Sequence, residues 1–185
     1  FYGIKEEIRE GLTAFLSDCR NAGSIVLYDP NFRKNHMKIK DQVMPMISEN
    51  MRLAHITKGS DEDFNNILGT CDPKIVYDFV QTQGGHVLIM TANKHGVTLC
   101  TPQIQKHYPV KDIPVISTIG AGDTFNAGLL YALSHTHISP ADLETLPEKN
   151  WDKIIRTAIQ FAEHVCMSYE NYLSWDFARE VANGH

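Results

Sequence analysis

The sequence predicts an α/β fold, a three-layer α/β/α arrangement around a mostly parallel sheet. Short apolar runs alternate with amphipathic stretches of ten or more residues, and glycine, proline and Asx signals mark the boundaries. Crossovers of that length are what parallel strands need, because a two-residue hairpin cannot join them. The polar clusters also follow the apolar runs, which is where open α/β sheets keep their ligand crevice.

Residues 5–21 place Ile8, Leu12, Phe15 and Leu16 at helical spacing and stop before Gly23. "SIVLYD" (24–29) lies between a glycine and a proline and reads as a buried strand. A helix is predicted over 37–49 and a strand over 53–57. "SDEDFNNIL" opens with Ser60 and has Asp63 three residues on, close to a capping box that starts a helix. Residues 73–82 form the next helix. "HVLIMT" (86–91) is a second buried run, and "GVTLC" (96–100) is its hairpin-like neighbour. Helices are predicted over 123–134 and 151–169, followed by a helical tail, whereas 136–150 reads as loop. Three polar clusters, "DPNFR", "KGSDED" and "TANKHG", follow strands, and "STIGAGD" precedes a helix, so four segments are expected on one rim.

The 185 residues are 43% hydrophobic, enough for one sizeable core. A formal charge of -5 and a pI near 6.0, with no Lys/Arg run, give no electrostatic basis for a nucleic-acid partner or a membrane patch. No stretch has the apolar length of a membrane span or the form of a signal peptide. Cys19, Cys71, Cys100 and Cys166 are scattered without a CxxC pair, which reads as reduced thiols in a cytoplasmic protein. The chain begins at Phe1 and runs directly into a charged helical pattern, so it is expected to be part of a longer protein. No domain boundary is visible within it.

"STIGAGDTFNAGLL" (117–130) puts a flexible acidic turn in front of an apolar helix. Helix N-termini present N–H groups with partial positive charge and bind anions. Gly120 and Gly122 allow close backbone approach, and Asp123 would stand at the mouth of that anion hole. A carboxylate there can take a proton from a hydroxyl while the amides hold a phosphoryl group. An ordinary helix start capped by Asp is the competing reading. Two other nucleotide motifs fail. The dinucleotide fingerprint wants glycine where Phe125 stands, and no glycine is followed by lysine as a P-loop requires.

"GAGDTFNAGLLYAL" resembles the C-terminal signature of the ribokinase-like (PfkB) carbohydrate kinases. "DPNFR" resembles the Asp-x-Asn-x-Arg segment of members that act on fructose or 2-keto-3-deoxygluconate. "KGSDEDF" resembles the family's Lys-x-Asn-x-x-Glu segment and "TANKHGV" its Thr-x-Gly-x-x-Gly-Val. The resemblance implies a single nucleotide-binding domain over 1–185 that lacks the N-terminal strands and β lid, and therefore no useful kinase activity in these residues alone. It implies Asp123 as general base, with Gly120, Ala121 and Gly122 as the anion hole. Asn31 and Arg33 would contact the sugar, Arg33 with a catalytic role through its planar fork. Ser60 and the Thr91–Gly96 loop, including Asn93, would line ATP, with Glu163 near the adenine. Asp63 would position Mg²⁺ through water. The implied partners are a small-molecule sugar and ATP, with a homodimeric full-length protein.

Some positions depart from the pattern. Ser117 replaces an Asp that helps to build a monovalent-cation site in relatives, so a K⁺ requirement does not carry over. Ser60 replaces Asn, Asp63 replaces Glu, and Asn93 replaces a glycine, though Asn tolerates a left-handed backbone. Glu163 stands at a common Asn position. These departures motivate the alternative of a non-catalytic nucleotide or sugar sensor. Among other features, His135 and His137 read as surface residues because i, i+2 positions do not share a helix face. Ile154, Ile155, Ala158, Ile159, Ala162 and Val165 read as a core stripe. Tyr169, Tyr172 and Trp175 are expected to pack within the C-terminal tail.

Overall fold

Three parallel strands lie side by side: β1 (Leu27–Tyr28), β2 (Ile56–Ser60) and β3 (Leu88–Thr91). β4 (Val97–Cys100) and β5 (Gln105–Tyr108) return antiparallel, giving the order β1-β2-β3-β4-β5. The α/β class and the hairpin-like β4 are as predicted; β5 is an added strand, antiparallel to β4, in a mixed five-stranded sheet. β5 escaped the sequence reading because "QKHY" has no apolar run; only Tyr108 is buried.

The computed structural model describes residues 2–183, which divide into two compact units. The first runs to Pro109 and includes Ser139–Leu146; the second holds Val110–Ile138 and residues 147–183. No helix among the described residues is long and apolar enough to cross a membrane.

In the first unit, α1 (Arg9–Asn21) follows a 3-10 turn at Glu6–Ile8, and α2 (Lys40–Leu53) follows another at Lys34–Ile39. The helical spacing of Val43, Ile47 and Met51 carries α2 to Leu53, so the strand expected at 53–57 starts three residues later. It then continues through Lys58 and Ser60, polar residues that conceal a buried strand. α3 (Asp61–Leu68) starts at the predicted box: Ser60 Oγ accepts from Asp63 N–H, and Asp63 Oδ2 accepts from Ser60 N–H at 2.9 Å. α4 (Pro73–Thr82) has the predicted bounds and is capped by Asp72, whose Oδ1 accepts from the N–H groups of Lys74 and Ile75. Phe32, Ile47, Met51, Phe64, Val76 and Val80 pack with Leu88, Met90 and Cys100 into one core. Strand alternation puts Leu88, Met90 and Cys100 on the same sheet face, and Ile89 and Leu99, also fully buried, on the other. Part of the expected 136–150 loop is a 3-10 turn, Pro140–Thr145, that buries Leu143.

The second unit contains α5 (Ala121–Thr136), α6 (Glu148–Cys166) and α7 (Trp175–Asn183). α5 and α6 approach closely at Gly128, where an added Cβ would lie 2.7 Å from Ala158 Cα. The α6 stripe is core as predicted, although Ala162 is only half-buried. α7 docks through Phe177, edge-on to Phe161 at 5.4 Å and stacked on His164 at 4.2 Å. Tyr169, Tyr172 and Trp175 are instead exposed by 88%, 60% and 83%, against expectation. With Phe177 and Val181 on the docking face, Trp175 lies two residues away and turns outward.

Two outcomes follow from this packing. His55 Nδ1 accepts from Val26 N–H at 2.9 Å just before β1, and burial, helped by Arg20, lowers its pKa from 6.5. The folded state thus disfavours the imidazolium, so this stability is present above pH 6.5 and lost as pH falls through the lowered pKa. Urea denaturation between pH 7.5 and 5 should show that loss, and His55→Leu should remove the slope. Gly128→Val should cost about 1–3 kcal/mol in urea denaturation, because the approach of α5 to α6 leaves no room for a side chain.

Candidate active site

The first unit brings three of the polar segments to neighbouring carboxyl ends. Asn31 follows β1, while Ser60 and Thr91 end β2 and β3 and are register partners. Thr91 Oγ1 lies 3.4 Å from Gly59 O. Asn31 adopts a left-handed backbone with φ 46°, and its N–H donates to Asp29 Oδ1 at 3.2 Å. Asn31 Oδ1 accepts from Arg33 Nη2 at 2.9 Å. The other guanidinium nitrogen, Nη1, lies 3.9 Å from both Glu62 Oε2 and Asp63 Oδ1. Asn31, Arg33, Ser60 and Asp63 therefore form one cluster.

Asp63 is 1% exposed. Its Oδ2 is committed to the Ser60 N–H and hydroxyl, whereas Oδ1 is buried without a hydrogen-bond partner. A carboxylate oxygen without a hydrogen-bond partner is the donor type that a hard cation such as Mg²⁺ takes, but Arg33 Nη1 already faces this one at 3.9 Å. It does not make a multidentate cage, and no group of three or more His, Cys, Asp or Glu ligands occurs among the described residues.

After β3 the chain turns through a 3-10 segment, Asn93–His95. Asn93 takes φ 50°, the left-handed conformation Asn tolerates. The loop closes by a 2.8 Å bond from Ala92 N–H to Gly96 O. Gly96 has φ 90°, and a Cβ there would fall 2.3 Å from Tyr108 O, so β5 holds this loop tightly.

The glycine turn and Glu163 belong to the second unit. Gly120, φ 82°, is the N-cap of α5, and no side chain caps that end. Ala121 N–H reaches Thr118 O at 3.3 Å, and Gly122 and Asp123 complete the first turn, where helical N–H groups lack intrahelical acceptors. Asp123 is exposed at this electropositive end. α6 anchors the segment leading to the turn: Glu163 Oε1 accepts from Lys111 N–H at 3.0 Å, and Cys166 O accepts from Ile116 N–H at 2.8 Å. Glu163, expected near a nucleobase, is thus engaged with the backbone.

Residues 3–176 match the pfkB family carbohydrate kinases. The chain belongs to the pfkB family. It is 30% identical over 144 residues to a fructokinase of Klebsiella pneumoniae, covering 76% of this chain and 46% of that protein. It is 30% identical over 118 residues to the aminoimidazole riboside kinase of Salmonella typhimurium, covering 64% of this chain and 37% of that one. The chain therefore spans less than half the length of these two relatives. Its fold superposes, with a TM-score of 0.78 and 23% identity, on the Salmonella enterica aminoimidazole riboside kinase complexed with aminoimidazole riboside and an ATP analogue. That match covers 90% of this chain and 54% of the other.

Asp29 and Lys58 open two of the sequence motifs, "DPNFR" and "KGSDEDF", but neither is among the expected site residues. Lys58 Nζ and Asp29 Oδ2 meet at 2.8 Å, with side chains 5% and 13% exposed. Nothing in the sequence shows that the two side chains meet, because the expected strand at 53–57 stops short of Lys58.

Gly120→Ala tests the turn. The residue needs φ 82°, and a Cβ would sit 3.0 Å from Asn171 O. The variant should lose about 1–3 kcal/mol in chemical denaturation, with shifts in the amide NMR signals of Ala121 to Asp123.

Proposed function

We propose that the chain forms the nucleotide-handling part of an ATP-dependent carbohydrate kinase. The acceptor is the primary hydroxyl of a ketose such as fructose or of a keto-sugar acid. One observation carries this reading: a left-handed glycine opens α5 without a side-chain cap and places an exposed carboxylate in the same first turn.

In this reading Asp123 removes the proton from the sugar hydroxyl, and that oxygen forms a bond to the γ-phosphorus. The bond from the γ-phosphorus to the β,γ-bridging oxygen breaks, and ADP leaves. Amides of the Gly120–Gly122 turn take the negative charge of the phosphoryl oxygens, the interaction that phosphoryl transfer depends on most. Arg33 and Asn31 hold the sugar or its phosphate, and the fork of Arg33 suits two oxygens at once. Ser60 and the Thr91–Gly96 loop meet the ATP phosphates and ribose, and Glu163 lies toward the base. Mg²⁺ would offset phosphate charge, with Asp63 engaging it through water. ATP use and four free cysteines support a cytoplasmic location.

The experiment is Asp123→Asn in the intact protein. Turnover should fall about 10²–10⁴-fold, the range for loss of a general base, while nucleotide affinity by calorimetry stays within about twofold. Undiminished turnover would remove Asp123 as the base.

A further inference from the structure

Lys58 is a buried cation in the middle of a strand, 4% exposed, and its partner Asp29 closes the neighbouring strand. Desolvating two such charges offsets much of their attraction, so a buried pair contributes little net stability over well-packed apolar residues. What the pair touches gives it another role. Asp29 uses Oδ2 for Lys58 and Oδ1 for the N–H of Asn31. Asn31 is held left-handed and presents Oδ1 to Arg33 Nη2. Arg33 Nη1 faces Asp63 Oδ1, and Asp63 Oδ2 is bound to Ser60, two residues beyond Lys58 on the same strand. The chain of contacts closes on itself within the first unit.

We propose that Lys58 is a positioning residue for Arg33, acting through the Asp29 carboxylate and the left-handed turn at Asn31. Arg33 is half-exposed, with 51% of its side chain accessible, and a long side chain at that exposure samples many rotamers. The Asn31 contact restricts it and aims the second guanidinium nitrogen toward Asp63. Lys58 touches no substrate in this scheme; it holds the carboxylate that holds the turn. The inference rests on reading Arg33 as a sugar or phosphate contact.

The test combines a kinetic cycle with a measurement independent of turnover, both in the intact protein. Lys58→Met should lower kcat/KM for the sugar about tenfold in the natural background and by less than about twofold when added to Arg33→Ala. Equal losses in both backgrounds would mean a merely structural lysine and would overturn the proposal. The side-chain Nε–H of Arg33, followed by ¹⁵N relaxation, should be ordered in the natural protein and lose that order in Lys58→Met. An unchanged Arg33 signal would also overturn it. If Lys58→Met does not fold, Lys58→Met with Asp29→Leu removes both charges and takes the same measurements. If the intact protein phosphorylates no sugar, the kinase reading fails, and the Arg33 relaxation still decides the positioning role.

Discussion

The parallel register of β1, β2 and β3 is the constraint on which the first unit depends. Pairing Tyr28 with Thr57 and Ser60 with Thr91 brings three carboxyl ends side by side. The turn at Asn31, the cap at Ser60 and the loop after Thr91 then have little freedom in where they project. The same register sets Asp29 beside Lys58, so strand pairing and buried charge specify one alignment. A one-residue slip would turn Lys58 toward the face lined by Leu88 and Met90 and forfeit its partner. Polar and apolar residues thus agree on where the loops emerge.

The second unit reaches its arrangement by a different route. There the constraint is small size: Gly128 lets α5 approach α6, and Gly120 accepts a left-handed entry to the helix beside Asn171. Glu163 and Cys166 fasten the segment that leads to this entry. The segment entering the glycine turn is therefore a supported feature, held through its backbone N–H groups by a side-chain and a main-chain acceptor of α6. Asp123 extends, exposed, from the first turn of α5 above that entry.

Much of this was legible in the sequence where periodicity or caps carried it. α4 has the predicted bounds, and the structure supplies the reason: Asp72 caps it and Pro73 stands in its first turn. The Ser60–Asp63 box was readable at the same level. What escaped was polar residues doing buried work. β2 was displaced because Thr57, Lys58 and Gly59 do not look like a core strand, yet all three are buried. β5 had too little apolar character to register. Trp175 misled in the opposite direction, since a large aromatic in a helical tail suggests packing until Phe177 fixes which face docks. The cluster around Asn31, Arg33, Ser60 and Asp63 was named residue by residue, but its wiring through Lys58 needed coordinates.

The central claim is phosphoryl transfer from ATP to a sugar hydroxyl. The most direct measurement is ³¹P NMR of the intact protein with ATP, Mg²⁺ and, in turn, fructose, 2-keto-3-deoxygluconate and an aldose control. The account predicts equimolar ADP and a sugar phosphomonoester whose phosphorus couples to the protons of a primary carbon. Binding of ATP and sugar without any phosphomonoester, or ADP accompanied only by inorganic phosphate, would contradict it.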